Sequence, residues 1–154
     1  MSRIIQIKGQ EQIDRACEIL QALPTDKDLQ VEISEAKDRR SAAQNRLYWV
    51  WVTFLAGEQG LSKEDVHQDL KERILSVIFQ RDDDNFATMV ASLRHVYKLD
   101  REAGAQLYKG VCSLISTRDA DVHQFTEYLE DIERDSTSRG IILPHPEDIY
   151  REAM

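Results

Sequence analysis

The sequence predicts an α+β fold, with a strand–helix–strand opening over residues 1–34 and a mainly helical remainder. Three observations predict it. Two short runs, 3–8 and 29–34, alternate apolar with polar residues, the period of a half-buried strand. Elsewhere the apolar residues recur at three- and four-residue spacing, the period of an amphipathic helix. Ser41, Ser62 and Asp121 stand as helix caps before three of those runs. A chain of 154 residues makes about one domain, expected to span 1–154, with 1–34 as strand–helix–strand, 41–143 mainly helical and 144–154 a tail.

In order along the chain, Arg3 to Lys8 reads as the first strand, with Ile5 and Ile7 on one face. Ile13, Ala16, Cys17 and Leu20 make a helical stripe over Gln10 to Leu23, closed by Pro24. Leu29, Val31 and Ile33 alternate with Gln30, Glu32 and Ser34 as a second strand. Ser41 then caps a helix to about Ala56, ended by Gly57 and Gly60. Ser62, with Asp65 three residues on, caps another, whose face is Val66, Leu70, Ile74 and Val77. Residues 81–85 read as a loop, and Phe86, Met89, Val90, Leu93 and Tyr97 as a further stripe. Residues 102–115 fit a helix that Gly104 and Gly110 weaken. Asp121 and Gln124 are a capping pair for a helix with the stripe Val122, Phe125, Leu129 and Ile132. Arg139 and Gly140 supply its C-terminal chemistry. Ile141–Leu143 is an edge strand or an apolar tail segment, and Pro144 and Pro146 stop any helix there.

The composition, 42% hydrophobic and 31% charged, is that of a globular protein and too apolar for a disordered chain. No apolar run is long enough to span a bilayer, and the first residues lack the core of a signal peptide, so a cytoplasmic protein with no membrane partner is expected. Cys17 and Cys112 form no CxxC pair or cluster with His, so neither a metal nor any other cofactor is expected, and packing is their default role. The net charge of −8 is uneven: residues 111–154 hold ten acids against four Lys/Arg, and residues 1–110 hold 18 acids against 16 bases. That acidity argues against a generic nucleic-acid coat but leaves room for a local basic site, because the field is screened within about 10 Å at 0.1 M salt.

Lys37, Arg39, Arg40 and Arg46 fall within ten positions, beside one acid, just before and inside the first turn of a helix. A helix N-terminus favours anions. Gln44 and Asn45 add amides of the kind that contact phosphates and base edges. The plainer reading is a solvated loop running into a capped helix. The helix itself is apolar nearly all round. Leu47, Val50, Trp51, Phe54 and Leu55 form one stripe, and Tyr48, Trp49 and Val52 a second. Trp49 and Trp51 are about 200° apart at roughly 100° per residue, so they face opposite ways. Another element of the same chain, a second subunit and stacked bases all fit the second stripe. A two-fold homodimer through Tyr48, Trp49 and Val52 is expected, with packing beneath the Phe86–Tyr97 helix as its competitor.

No GxGxxG, P-loop, HExxH or GxSxG motif occurs, so no catalytic residue is assigned. His67, His95, His123 and His145 are scattered. The Asp82–Asp83–Asp84 run offers the one route to metal-dependent nuclease chemistry, and solvated charge is its default reading.

The run Arg40-Ser41-Ala42-Ala43-Gln44-Asn45-Arg46-Leu47-Tyr48-Trp49 resembles the RSxxQNxxxW signature of the NinB family, recombination proteins of tailed phages and prophages that include the lambda Orf recombination mediator. A second, distant stretch is similar to that family's C-terminal pattern: Ser116-Thr117-Arg118, then Phe125–Leu129, then Arg139-Gly140-Ile141. Ile142–Asp148 resembles the ending of many phage members, and the resemblance covers about two-thirds of the chain in the right order. Residues 80–115 depart from the pattern, which can include a strand hairpin there. The resemblance implies an α+β, dimeric, non-enzymatic protein that binds DNA with preference for single strands, with duplex DNA as a second partner. It implies cooperation with a host single-strand-binding protein and a recombinase, and it adds Arg118 and Arg139 to the expected DNA contacts. An acidic protein-interaction module, or DNA mimic, acting on a DNA-processing enzyme is the alternative, followed by a metal-dependent nuclease.

Overall fold

The structure, a computed structural model, describes residues 5, 7, 9–24, 26, 28–31, 33 and 41–154. The chain divides into two compact units, residues 1–37 and 38–154. The first contains α1 (Gln10–Gln21), whose residues all keep some exposure. No strand occurs among the described residues, so the α+β expectation is corrected: the described fold is helical. Ile5 and Ile7, from the expected first strand, are irregular, as are Leu29–Val31 and Ile33 from the second. The other residues of those two runs fall partly or wholly outside the described set. The physical reason is that alternation only prepares a strand. A ladder forms when a neighbour accepts its N–H and C=O groups. Here Ile7, Leu29, Val31 and Ile33 are exposed instead.

The second unit is built around α2 (Ala42–Gln59). Ser41 starts it with a full capping box: the Ser41 hydroxyl accepts from Gln44 N, and Gln44 Oε1 accepts from Ser41 N. Gly60 ends it at φ 65°, in the left-handed region, with Leu61 N donating to Ala56 O at 3.0 Å. A long rod follows, α3 (Lys63–Leu70), a π-turn (Lys71–Leu75) and α4 (Ser76–Asp82). The expected loop at 81–85 shrinks to a single joint, Asp83, whose carboxylate caps α5 (Asp84–Leu99) by accepting from Asn85 N and Phe86 N. Then come α6 (Arg101–Leu114), α7 (Val122–Ser138) and α8 (Glu147–Ala153).

The π-turn explains a register change. Val66, Leu70 and Ile74 are buried as the sequence predicts, but Val77 is exposed and Ile78 buried. On an uninterrupted helix Val77 sits about 20° from Val66 and Ile78 about 120° away. A π-turn takes one extra residue, so Ile78 inherits the inward position.

Packing resolves α2, which is buried on both sides. Leu47, Trp51 and Leu55 face one way, where α8 packs and Trp51 Nε1 donates to Pro144 O at 2.7 Å. Residues 144–154, expected as a tail, thus carry a helix that covers the core. Tyr48 and Val52 are fully buried within the same chain. The Tyr48 ring meets Phe125 at 5.7 Å and Tyr128 at 5.5 Å, both on α7, and His67 of α3 at 5.8 Å. Burying one such side chain stabilises by about 1.5–3 kcal/mol, so intramolecular burial takes the residues a dimer would have used. The expected homodimer face through Tyr48 and Val52 is therefore corrected. The cover comes from α7 and α3, not from the 86–97 helix.

Helices α5 and α6 form a hairpin carried by α4 and the π-turn. Gly104 is what lets them close: a Cβ there would lie 2.4 Å from Tyr97 Cα. Ile141–Leu143 pairs with no strand, and Leu143 points into the core beside exposed Ile142. Among the described residues no helix is long and apolar enough to cross a membrane.

Candidate nucleic-acid interface

The first turn of α2 sends its polar residues in different directions. Gln44 is 2% exposed; besides the capping box, its Nε2 donates to Thr126 Oγ1 on α7 at 2.8 Å. A buried amide must be hydrogen-bonded, and this one is engaged at both ends. Gln44 is therefore a structural clamp between α2 and α7, correcting its expected role as a DNA contact. Asn45, one residue on, turns away from that clamp and lines a cleft.

The cleft has a volume of about 540 Å³. Asn45 and Trp49 come from α2, His67 from α3 and Lys71 from the π-turn. Ser113–Arg118, the end of α6 and the loop after it, close the other side. Asn45 and Trp49 are four residues apart and share a helix face, as do His67 and Lys71. No carboxylate stands among the residues lining it. In a chain of net charge −8, that leaves Lys71 and Arg118 to set the local sign.

Trp49 is the part of the second stripe that stays at the surface, 38% exposed. It lies roughly 100° from Tyr48 around the helix, beyond the cover that α7 provides. The indole stacks on the His67 ring, centroids 5.2 Å apart and planes inclined 24°. Tyr48 in turn has its hydroxyl 2.7 Å from His67 Nδ1. Lys71 is 5% exposed, and its ammonium donates to Ser113 O at 3.1 Å. It makes no ion pair among the described residues. Sequence reasoning missed both His67 and Lys71. The available signal was their i, i+4 spacing beside the Val66–Leu70 stripe.

The other expected contacts scatter. Arg46 is exposed and 3.6 Å from Glu152 of α8. Arg139 caps α7 and reaches Asp135 at 3.3 Å, the carboxylate that also pairs with Arg73 at 3.1 Å. Neither lines the cleft. Lys37, Arg39 and Arg40 lie outside the described residues. Arg118 does line it, exposed, with its backbone N–H donating to the Ser116 hydroxyl.

The three consecutive aspartates are separated in role. Asp82 accepts from Arg81 through both oxygens and from Gln124 Nε2, Asp83 caps α5, and Asp84 lies in the first turn of that helix. No group of three His, Cys, Asp or Glu residues that could hold a metal occurs among the described residues.

The cleft thus joins a partly exposed indole, two cations, an amide and hydroxyls with no competing acid. Such a surface can stack a planar ring and accept an anionic group beside it. No family model, curated protein or solved structure matches the chain.

Proposed function

We propose that this chain is a non-enzymatic DNA-binding protein that prefers single strands and acts as a recombination mediator of phage or prophage type, alongside a recombinase and a host single-strand-binding protein. One observation carries the reading. Two stretches that resemble the NinB family, RSxxQNxxxW at 40–49 and Ser116-Thr117-Arg118, are far apart in sequence yet line the same cleft through Asn45, Trp49, Ser116, Thr117 and Arg118. The chemistry of that cleft supports single-strand binding on its own, since an unpaired base offers a ring face that a duplex hides. The recombination role rests on the resemblance, whose implied α+β fold differs from the helices described above. A homodimer, where one forms, uses a face other than Tyr48 and Val52.

The test is a gel-shift titration with labelled oligothymidylate and with duplex DNA, with and without Mg²⁺, repeated on Arg118→Ala. The expected outcome is tighter binding to the single strand, no cleavage, and a log–log salt slope shallower by about 0.7 in the variant. Absence of binding to either DNA overturns the reading in favour of an acidic module that binds a DNA-processing protein. Mg²⁺-dependent cleavage overturns it in favour of a nuclease.

A further inference from the structure

We propose that the cleft holds a single nucleotide of the strand, its base laid on Trp49 and its phosphate received by Lys71 with Arg118. This deepens the DNA-binding reading and rests on it. Two buried polar groups point to a ligand. An ammonium has three N–H donors, and Lys71 engages one of them, with Ser113 O. The other two have no acceptor among the described residues, although the residue is 95% buried. Thr117 is 6% exposed and lines the same cleft, and its hydroxyl has no hydrogen-bond partner among the described residues. Buried polar groups are almost always satisfied, and a buried cation needs compensating charge. An anion with several acceptor oxygens, such as a phosphodiester, answers both.

The backbone at Lys71 adds to this. Lys71 opens the π-turn, a geometry found frequently at functional sites. It places the ammonium beside the C-terminal end of α6, at Ser113 O, while Ile74 and Leu75 stay in the core. The His67 ring stacks on one face of Trp49, and the Tyr48 hydroxyl engages His67 in turn, so the platform is set before a base arrives. A volume of about 540 Å³ falls within the range of small-ligand sites, roughly 300–1,000 Å³, and takes one nucleotide rather than a run of stacked bases. Strand preference follows from that size. A base enters only when it leaves its stack, which an unpaired base does at lower cost than a paired one.

The experiment uses the full chain and three probes, thymidine monophosphate, thymidine and inorganic phosphate, read by Trp fluorescence and by the indole N–H resonance of Trp49. Thymidine monophosphate is expected to quench Trp49 and shift its resonance. Thymidine should do so more weakly, and phosphate should compete with the monophosphate without quenching. Lys71→Met keeps the stem and removes the charge, and Trp49→Leu removes the platform. Each is expected to lower affinity for oligothymidylate roughly ten-fold or more. Far-UV circular dichroism shows that the variants are folded, and the wild-type resonance shift needs no variant. Oligothymidylate binding that both folded variants keep at wild-type strength overturns the nucleotide site and leaves the DNA-binding reading standing. Binding of the monophosphate without the oligonucleotide supports the site and overturns the strand-binding reading. Binding of neither overturns both.

Discussion

The Tyr48 hydroxyl lies 2.7 Å from Nδ1 of His67, and that contact joins the centre of the core to the wall of the cleft. The same hydroxyl is 3.3 Å from the Tyr128 hydroxyl, whose ionisation burial pushes well above the usual phenol range. The Tyr128 phenol is therefore neutral at working pH and contributes through packing and hydrogen bonding. Tyr48→Phe keeps the ring and removes the hydroxyl that Tyr128 and His67 share. It should cost about 1–3 kcal/mol in urea unfolding and alter Trp49 emission, because the ring beneath Trp49 loses a constraint. An unchanged midpoint and unchanged emission would show that the contact positions nothing.

Two glycines in α6 should respond to alanine with opposite signs. At Gly104 the new Cβ would sit 2.4 Å from Tyr97 Cα, which is backbone and cannot swing aside, so α5 and α6 must separate. The cost is about 1–3 kcal/mol by analogy with overpacked cores. At Gly110 nothing lies within 4 Å, and the helix interior favours alanine by about 0.5–1 kcal/mol. Denaturant midpoints of the two variants against wild type check both signs. A stabilised Gly104→Ala would mean that the two helices do not meet there.

The Arg81 guanidinium pairs with its neighbour Asp82 on α4 and reaches across to Glu127 on α7, at 2.6 Å to each. Its hydrogen bonds, helped by Gln124, hold Asp82 down from the usual 3.8 to about 2, and it lowers Glu127 as well. Depressed carboxylates contribute stability that is complete above their unfolded values, near pH 4, and lost as pH falls toward 2. The groups are exposed, so solvent screens the effect and keeps it small. Asp82→Asn should melt slightly below wild type at pH 7, with the gap closing between pH 4 and pH 2. A gap independent of pH would mean that the pairing is not what the substitution removes. DNA affinity should be unaffected, since this cluster does not line the cleft.

Trp51 anchors the C-terminal segment through its Nε1 donation to Pro144 O at 2.7 Å. Trp51→Phe removes that donor and part of the packing against Tyr150. Native-state hydrogen exchange should show protection in α8 falling well below that of α2, at a global cost of about 1–3 kcal/mol. Retained protection in α8 would show that Leu143 and Ala153 hold the segment without the indole.

Local chemistry made much of this protein legible in its sequence. The caps at Ser41, Ser62 and Asp121 and the left-handed glycine after Arg139 involve residues a few positions apart, and all four occur as read. The opposed faces of Trp49 and Trp51 follow from helical geometry alone. In the candidate site, Asn45, Arg118 and Trp49 were legible as residues of interest. Lys71 was not, because a lysine beside an apolar stripe looks like a solvated one until the end of α6, 42 positions later, covers it.

What only the tertiary structure decided is who meets whom. The runs at 3–8 and 29–34 have strand alternation, yet alternation cannot supply the neighbour that a ladder needs, and Ile5, Ile7, Leu29–Val31 and Ile33 are irregular. Tyr48, Trp49 and Val52 share a stripe in one dimension. The position of α7 sends two of them into the core and leaves the third on the cleft. Gln44 reads as a ligand-contacting amide until Thr126, 82 positions away, accepts its hydrogen bond. One extra residue in the Lys71–Leu75 turn exchanges Val77 for Ile78. Sequence by itself determined most of the helices, though not α8, together with their caps and the sign of charge, because those depend on neighbours along the chain. The cleft depended on contacts between distant segments, whose free energies are set by packing that no local spacing records.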